Sequence, residues 1–473
     1  MGFFPSPLMD PNRKDSDSSV LKFPQPFLNK GDSVPPDKNI QNEHFSKKEQ
    51  NSQQEIHLNS WLSKGAWSVM EQGFFAFSNF LLVLLLARWL DPQDYGWFTV
   101  SYSIFLFLAT IHTSLFTEPM LVFGDGRFYH QQSVYFKALL EDHGKFIFFS
   151  GVTLMIPGIF LKLRGDLGSM SLLLTACVAT PFILTLWVLR RMCYLRSGPK
   201  VAAQAGLIYF VFIMGGALAL QHFFLLTPST AFGLLAASSL FSSCWIFLKL
   251  ECFALFQNEH SILLEFRTAH WDYGRWALGT NVLTWFPSNI YFFVIPWWAG
   301  LEAGGALRAS LNFLMPIMHV FTALSSALIP LFVRIRLNSN FTSIVLKITC
   351  LFCLASFSYW MVLFFYGTNL IDWIYAGKFS QYAETLRLIG SLPIFYSIHL
   401  VFSSALRAME KPFYILQASL LSTLVTLSVG LWMAFKWKVI GAQLGWLVSY
   451  IVGTAFIISY FIAFRSSQDK IHA

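Results

Sequence analysis

Beyond residue 60 the sequence is a succession of apolar runs, each about as long as the roughly 20 residues a helix needs to cross a lipid bilayer. A chain patterned this way folds as membrane-spanning helices, because lipid offers no water to satisfy an unpaired backbone. The runs predict about twelve spans: 64–89, 95–122, 144–163, 168–192, 201–224, 230–254, 274–298, 303–332, 343–367, 381–405, 412–434 and 439–464. Turn chemistry separates many of them, at Asp91-Pro92, Gly165-Asp166, Ser197-Gly198-Pro199, Gly300, Gly377 and Lys411-Pro412. Only 12% of the residues are charged, about half the share found in a soluble domain. The net charge of +8 reads as Lys and Arg in loops, so no nucleic-acid partner is expected. The fold class expected is an all-α membrane protein.

The first 60 residues are different material. Seven prolines, many Ser, Asn and Gln, and no long apolar run leave them too little to bury, so a disordered cytoplasmic tail is expected. They hold no apolar segment of the secretory type. Met1-Gly2 opens a myristoylation pattern, for which a chain with this many spans has little use. The expected organisation is a tail 1–60, a six-helix lobe 61–257, a cytoplasmic linker 258–272, a second six-helix lobe 273–465 and a short tail 466–473. Loops on the tail side hold most of the Lys and Arg, among them Arg190, Arg191, Arg196 and Lys200. The opposite loops hold six, Arg88, Lys162, Arg164, Lys378, Lys436 and Lys438. The positive-inside rule then places both termini in the cytoplasm.

The two lobes read as a repeat. A shift of 209 residues lays Trp67 on Trp276, Phe77 on Phe286, Trp89 on Trp298 and Gly96 on Gly305. Polar positions coincide as well: Glu71 with Thr280, Gln72 with Asn281, Asn79 with Ser288. Six spans in each half start on the same side, so the repeat is parallel, about an axis along the membrane normal.

Polar groups inside spans are costly and usually face a bundle interior or a wet cavity. Glu71, Gln72 and Asn79 share one face of the first span; Asn281, Ser288 and Asn289 do the same in the seventh, beside a kink expected at Pro287. The matching positions point to one cavity lined by both helices, with interhelical hydrogen bonding as the other reading. Glu71 is the candidate coupling acid for a driving ion. Arg308 and Arg387 lie within spans of the second half. A guanidinium pairs well with phosphate oxygens, which makes both candidates for holding an anionic head group. For Arg387 a local pair with Glu384 is the alternative. Arg88 reads as a snorkelling residue. His112, His319 and His399 read as hydrogen-bonding residues of a core or cavity. The six cysteines, the C-x-x-C of Cys350 and Cys353 included, lie in apolar stretches and read as packing residues. No metal, cofactor or enzyme activity is expected, since neither a P-loop nor a large soluble domain is present.

Three stretches carry a family likeness. They are Ala87-Arg88-Trp89-Leu90-Asp91-Pro92-Gln93-Asp94-Tyr95-Gly96; Leu307-Arg308-Ala309-Ser310-Leu311-Asn312-Phe313 with Pro316 and Leu328-Ile329-Pro330; and Leu406-Arg407-Ala408-Met409-Glu410-Lys411-Pro412 with Ile440-Gly441-Ala442. With the pattern of spans they resemble the polysaccharide biosynthesis (Wzx-like, O-antigen) flippases of the multidrug/oligosaccharidyl-lipid/polysaccharide (MOP) exporter superfamily. The likeness covers roughly residues 60–465. It implies two six-helix lobes around a central cavity, a MATE-like fold, in the cell inner membrane. It implies a polyprenyl-pyrophosphate-linked oligosaccharide as substrate, moved by alternating access, with basic cavity residues on the pyrophosphate. Membrane lipid and other polysaccharide assembly proteins are the implied partners, and the driving ion stays open between protons and sodium. The tail of 60 residues departs from the family's pattern. A cation-coupled multidrug exporter of the same superfamily is the main rival. A peptidoglycan-precursor flippase fits less well, since such proteins usually have fourteen helices.

Overall fold

The structure, a computed structural model, describes residues 66–124, 127–163, 167–250 and 263–472. The tail 1–60 lies outside them. The first lobe holds α1 (Ala66–Trp89), α2 (Pro92–Phe123), α3 (Gln132–Leu163), α4 (Leu167–Arg196), α5 (Pro199–His222) and α6 (Pro228–Lys249). The second holds α7 (Leu263–Asn289, continued by Tyr291–Ala299), α8 (Leu301–Asn312, continued by Met315–Ile335), α9 (Phe341–Tyr375) and α10 (Ser380–Ala408). It closes with α11 (residues 412–437) and α12 (residues 439–472), which run on as one helix but for Lys438, whose φ of 53° breaks the axis. The stretch expected as a linker is helical from Leu263 on; residues 258–262 lie outside the described residues. The expected short C-terminal tail continues α12 as far as His472.

Nine described helices are long and apolar enough to span a bilayer. The twelve expected spans reconcile with them: α11 and α12 count as one, and α3 and α7, which carry more polar residues, fall short of that measure. The chain is a multi-pass, all-helical membrane protein.

Proline shapes the two helices that meet between the lobes. Pro119 has no N–H for the carbonyl four residues back, Leu115. There α2 widens into a π-turn over Thr113–Thr117, and His270 Nδ1 of α7 supplies the missing donor at 3.1 Å. Pro287 likewise orphans the Leu283 carbonyl, which accepts from Thr423 Oγ1 of α11 at 2.7 Å. The freed backbone is satisfied by a neighbouring helix, as the bilayer requires, and the helix runs on through Pro287 to Asn289.

The repeat is visible where the lobes touch. Gly96 of α2 and Gly305 of α8, equivalent by the 209-residue shift, face each other across the seam. A Cβ on Gly96 would lie 2.1 Å from the Leu301 carbonyl oxygen, and one on Gly305 3.1 Å from the Pro92 carbonyl and 3.3 Å from the Gly96 nitrogen. Equivalent residues in mutual contact are what a two-fold relation between the halves produces. One buried cluster fills the first lobe and this seam and continues into the second lobe through Leu363, Tyr375, Leu386 and Trp446; a second, around Phe321, Phe332, Phe341 and Phe402, fills another part of the second lobe.

Candidate functional site

Polar side chains gather around α7. A cavity of about 400 Å³ opens between the lobes. From the first lobe it is lined by Thr110 and Thr113 of α2 and Trp187 of α4; from α7 by Asn281, Thr284, Trp285, Ser288 and Asn289. The expected cavity positions of α7 are thus all at its wall. Thr284 also borders two further cavities within the second lobe. One, of about 120 Å³, adds His399, Ser419, Ser422, Ser449 and Tyr450. The other, of about 720 Å³, runs between α7, α10 and the start of α11 past Ser403, Ser404 and Arg407. Hydroxyls, amides, tryptophans, one histidine and one arginine make up the polar lining; none of these residues is acidic.

The first helix behaves otherwise. Glu71 is 1% exposed and fully engaged inside its own lobe. Arg190 donates from Nε at 2.7 Å and from Nη2, and the Tyr194 hydroxyl donates to Oε2 at 2.7 Å. The Arg190 guanidinium lies 3.3 Å from the centroid of the Phe75 ring. Asn79 accepts from the Tyr209 hydroxyl at 3.1 Å and donates to the Phe75 carbonyl at 2.8 Å. Gln72 is exposed and lines none of the three cavities. Of the two helices expected to line one cavity, α7 lines it, while the acid and amide of α1 are held by α4 and α5, the hydrogen-bonding alternative for that helix. Arg190, read from sequence as a loop charge, is the half-buried partner of Glu71.

The two candidate arginines stand apart. Arg308 is 6% exposed, with its guanidinium 3.9 Å from the Phe292 ring centroid and Nη2 donating to Ser103 Oγ at 3.2 Å. It lies in the α2–α8 seam and lines none of the three cavities. Arg387 is exposed beside Phe364, at 5.7 Å from that ring. It shares no cavity with Arg308, and it makes no ion pair with Glu384.

Polar contacts join the lobes at the end of α1 and along α7. Where α1 finishes, Arg88 Nη1 donates to the Trp373 and Ile374 carbonyls at 2.6 and 2.7 Å. Lys378 Nζ donates to the Trp89 and Leu90 carbonyls at 3.0 and 2.7 Å. Each lobe so caps the open carbonyl end of a helix in the other, a more specific role for Arg88 than snorkelling. Along α7, Arg267 near its start forks onto Asp142, Tyr273 donates to Glu118 at 3.1 Å, and further on Asn281 Nδ2 donates to Ser114 Oγ at 2.9 Å and Glu118 Oε2 at 3.2 Å.

A two-lobed helical bundle with a cavity on its pseudo-two-fold seam is directly comparable with solved structures. No family model matches the sequence, and no curated protein matches it. An inward-facing multidrug resistance MATE family transporter superposes with a TM-score of 0.68 at 10% identity, over 85% of this chain and 96% of that one. The lipid II flippase MurJ in an inward closed conformation gives 0.65 at 13%, over 84% and 87%. A MOP superfamily transporter from Pyrococcus furiosus Vc1, described as having a binding pocket of reversed polarity, gives 0.57 at 11%, over 86% and 95%.

The fold is that of the MOP superfamily.

Within this MOP fold, sequence reasoning found the polar positions of α7 but passed over Thr284, Trp187, Trp285, Ser403, Arg407 and Ser419. Thr284 was within reach, since it stands three residues from Asn281 and four from Ser288, on the same face. The buried histidines of the first lobe form a chain: His112 Nε2 is 3.1 Å from His143 Nδ1, whose Nε2 is 3.1 Å from Thr185 Oγ1. Among the described residues no group of three His, Cys, Asp or Glu could hold a metal ion.

Proposed function

We propose that this chain is a transporter that moves a lipid-linked oligosaccharide, carried on a polyprenyl pyrophosphate, across the cytoplasmic membrane by alternating access between its two lobes, for surface polysaccharide assembly. Both termini are then cytoplasmic, as the loop charges indicate. The observation that carries the reading is the chemistry of the cavity lining. Sugars are bound by hydroxyls and amides that match their own hydroxyls, and by aromatic faces. Asn281, Asn289, Thr284 and Ser288 with Trp187 and Trp285 supply both across the inter-lobe cavity. An exporter of cationic drugs needs a carboxylate in the transport path to hold the charge. The one acid that sequence singled out for coupling, Glu71, is neutralised by Arg190 away from these cavities.

Purified protein in proteoliposomes, given a fluorescent lipid-linked oligosaccharide, is expected to move it between leaflets. A sensitised host expressing the chain is expected to gain no resistance to cationic drugs. Absence of translocation together with clear drug protection would replace this reading with the exporter.

A further inference from the structure

Where α1 finishes, the lobes are joined by cations placed on carbonyls rather than on carboxylates. Arg88 of the first lobe caps the end of α9, and Lys378 of the second caps the end of α1. Neither makes an ion pair among the described residues. The turn that carries Lys378 is held in shape. Ala376 at φ 53° and Gly377 at φ 80° are both left-handed, which ends α9 and turns the chain toward α10. Ser380 Oγ donates to the Gly377 carbonyl at 2.7 Å and to the Asp372 carboxylate. Next to the caps the seam is tightly closed. The Tyr95 ring of α2 packs on Phe379 at 5.9 Å, and Gly96 meets Gly305.

Two turns along α2 from Gly96, about 10 Å, the same seam encloses Arg308 at Ser103. A guanidinium has five N–H donors. Arg308 makes one hydrogen bond among the described residues, to that neutral hydroxyl, and no ion pair. The Phe292 and Tyr102 rings, centred 3.9 and 5.9 Å away, face part of its charge. A cation enclosed without a carboxylate is less favourable than one in water. The closed seam therefore carries a cost that admitting water would remove, and the caps on α1 and α9 oppose that opening. We infer that this end of the seam is the outer gate of the transporter, held shut by Arg88 and Lys378 and biased toward opening by Arg308. The inference rests on the alternating-access reading above and on the loop charges that place this end outside; it does not depend on which substrate is carried.

The test measures the gate directly, on the full chain in nanodiscs without substrate. The native cysteines are replaced and spin labels are placed at Gln93→Cys and Glu384→Cys, both exposed and one on each lobe at this end. Pulsed electron double resonance then reads the distances between them. Removing both caps, in Arg88→Ala with Lys378→Ala, is expected to raise the ratio of long to short distances about tenfold. Arg308→Met is expected to lower it about as much, and to bring the chain without caps back toward short distances. Arg308→Lys, which keeps the charge, and Arg387→Gln, an arginine outside the seam, are expected to leave the ratio near its starting value. If the double variant does not fold, each single cap variant is expected to shift the ratio the same way by less; Arg308→Gln stands in likewise for the methionine. Unmoved distances in the cap variants overturn the gate. So does a shift toward long distances on neutralising Arg308, which would make it one more contact holding the seam. Translocation is scored in parallel on the unaltered chain. Opposite shifts without translocation refute the proposed substrate alone, and translocation with unmoved distances refutes the gate alone.

Discussion

Asn79 of α1 and Ser288 of α7 occupy equivalent positions in the two halves, yet one is tied into its lobe by Tyr209 and the other lines two cavities. The same divergence runs along both helices. Glu71 is locked by Arg190 and Tyr194, whereas its counterpart Thr280 and the neighbouring Asn281 border the 720 Å³ cavity. Both halves carry a polar face on their first helix. What each face does depends on what the neighbouring helices offer it. In the first lobe α4 and α5 carry the complementary Arg190, Tyr194 and Tyr209. In the second lobe α10 and α11 offer small hydroxyls, Ser403, Ser404 and Ser419, that leave space.

The largest effect expected from this contrast is on stability. Arg190→Ala strands the Glu71 carboxylate in a buried site and should cost about 3–5 kcal/mol. It would show as a large loss of folded, monodisperse protein in detergent. The double variant Glu71→Leu with Arg190→Met, apolar throughout, should recover most of that loss. A stable Arg190→Ala protein that no longer transports would instead make α1 part of the transport path.

The glycine pair comes next. Gly96→Ala drives a methyl into the backbone of Leu301 and should cost about 1–3 kcal/mol. Gly305→Ala, with contacts that begin at 3.1 Å, should cost less. Thermal unfolding of the two variants measures the difference. Equal costs would mean that the two sides of the seam are interchangeable.

Thr284→Phe adds bulk at the point where all three cavities meet. It should cut translocation about tenfold, roughly 1.4 kcal/mol on the transport barrier, at unchanged folded yield. The smallest effect belongs to Arg387→Gln. An exposed side chain without an ion partner should change stability within about 0.5 kcal/mol and leave translocation unaltered. A transport defect there would return Arg387 to the substrate path.

The legible part of this molecule is the part set by local pattern. Apolar run length gave the helices, and Pro287 marked a place where the backbone ladder of α7 is broken. The 209-residue shift aligned Gly96 with Gly305, and the structure brings the two into contact across the seam. What sequence could not supply was the partner across space. Arg190 stands 119 residues from Glu71, and no periodicity along either helix records that they meet. The surroundings of Arg387 were out of reach for a related reason. Depth within a span can be counted, but not the direction a side chain faces once α10 is interrupted at Gly390 and Ser391. Arg308 was rightly read as lying inside a span, yet Phe292 and Ser103 enclose it in the seam.

The central claim, that equivalent faces of α1 and α7 have parted into a structural lock and a transport wall, is tested most directly by thiol accessibility. The six native cysteines are replaced, and Asn79→Cys and Ser288→Cys are each treated with a membrane-impermeant maleimide in vesicles, with and without lipid-linked oligosaccharide. The account predicts that Ser288→Cys is labelled and that substrate protects it, while Asn79→Cys stays unlabelled in both conditions. Equal labelling and equal protection at the two positions would contradict it.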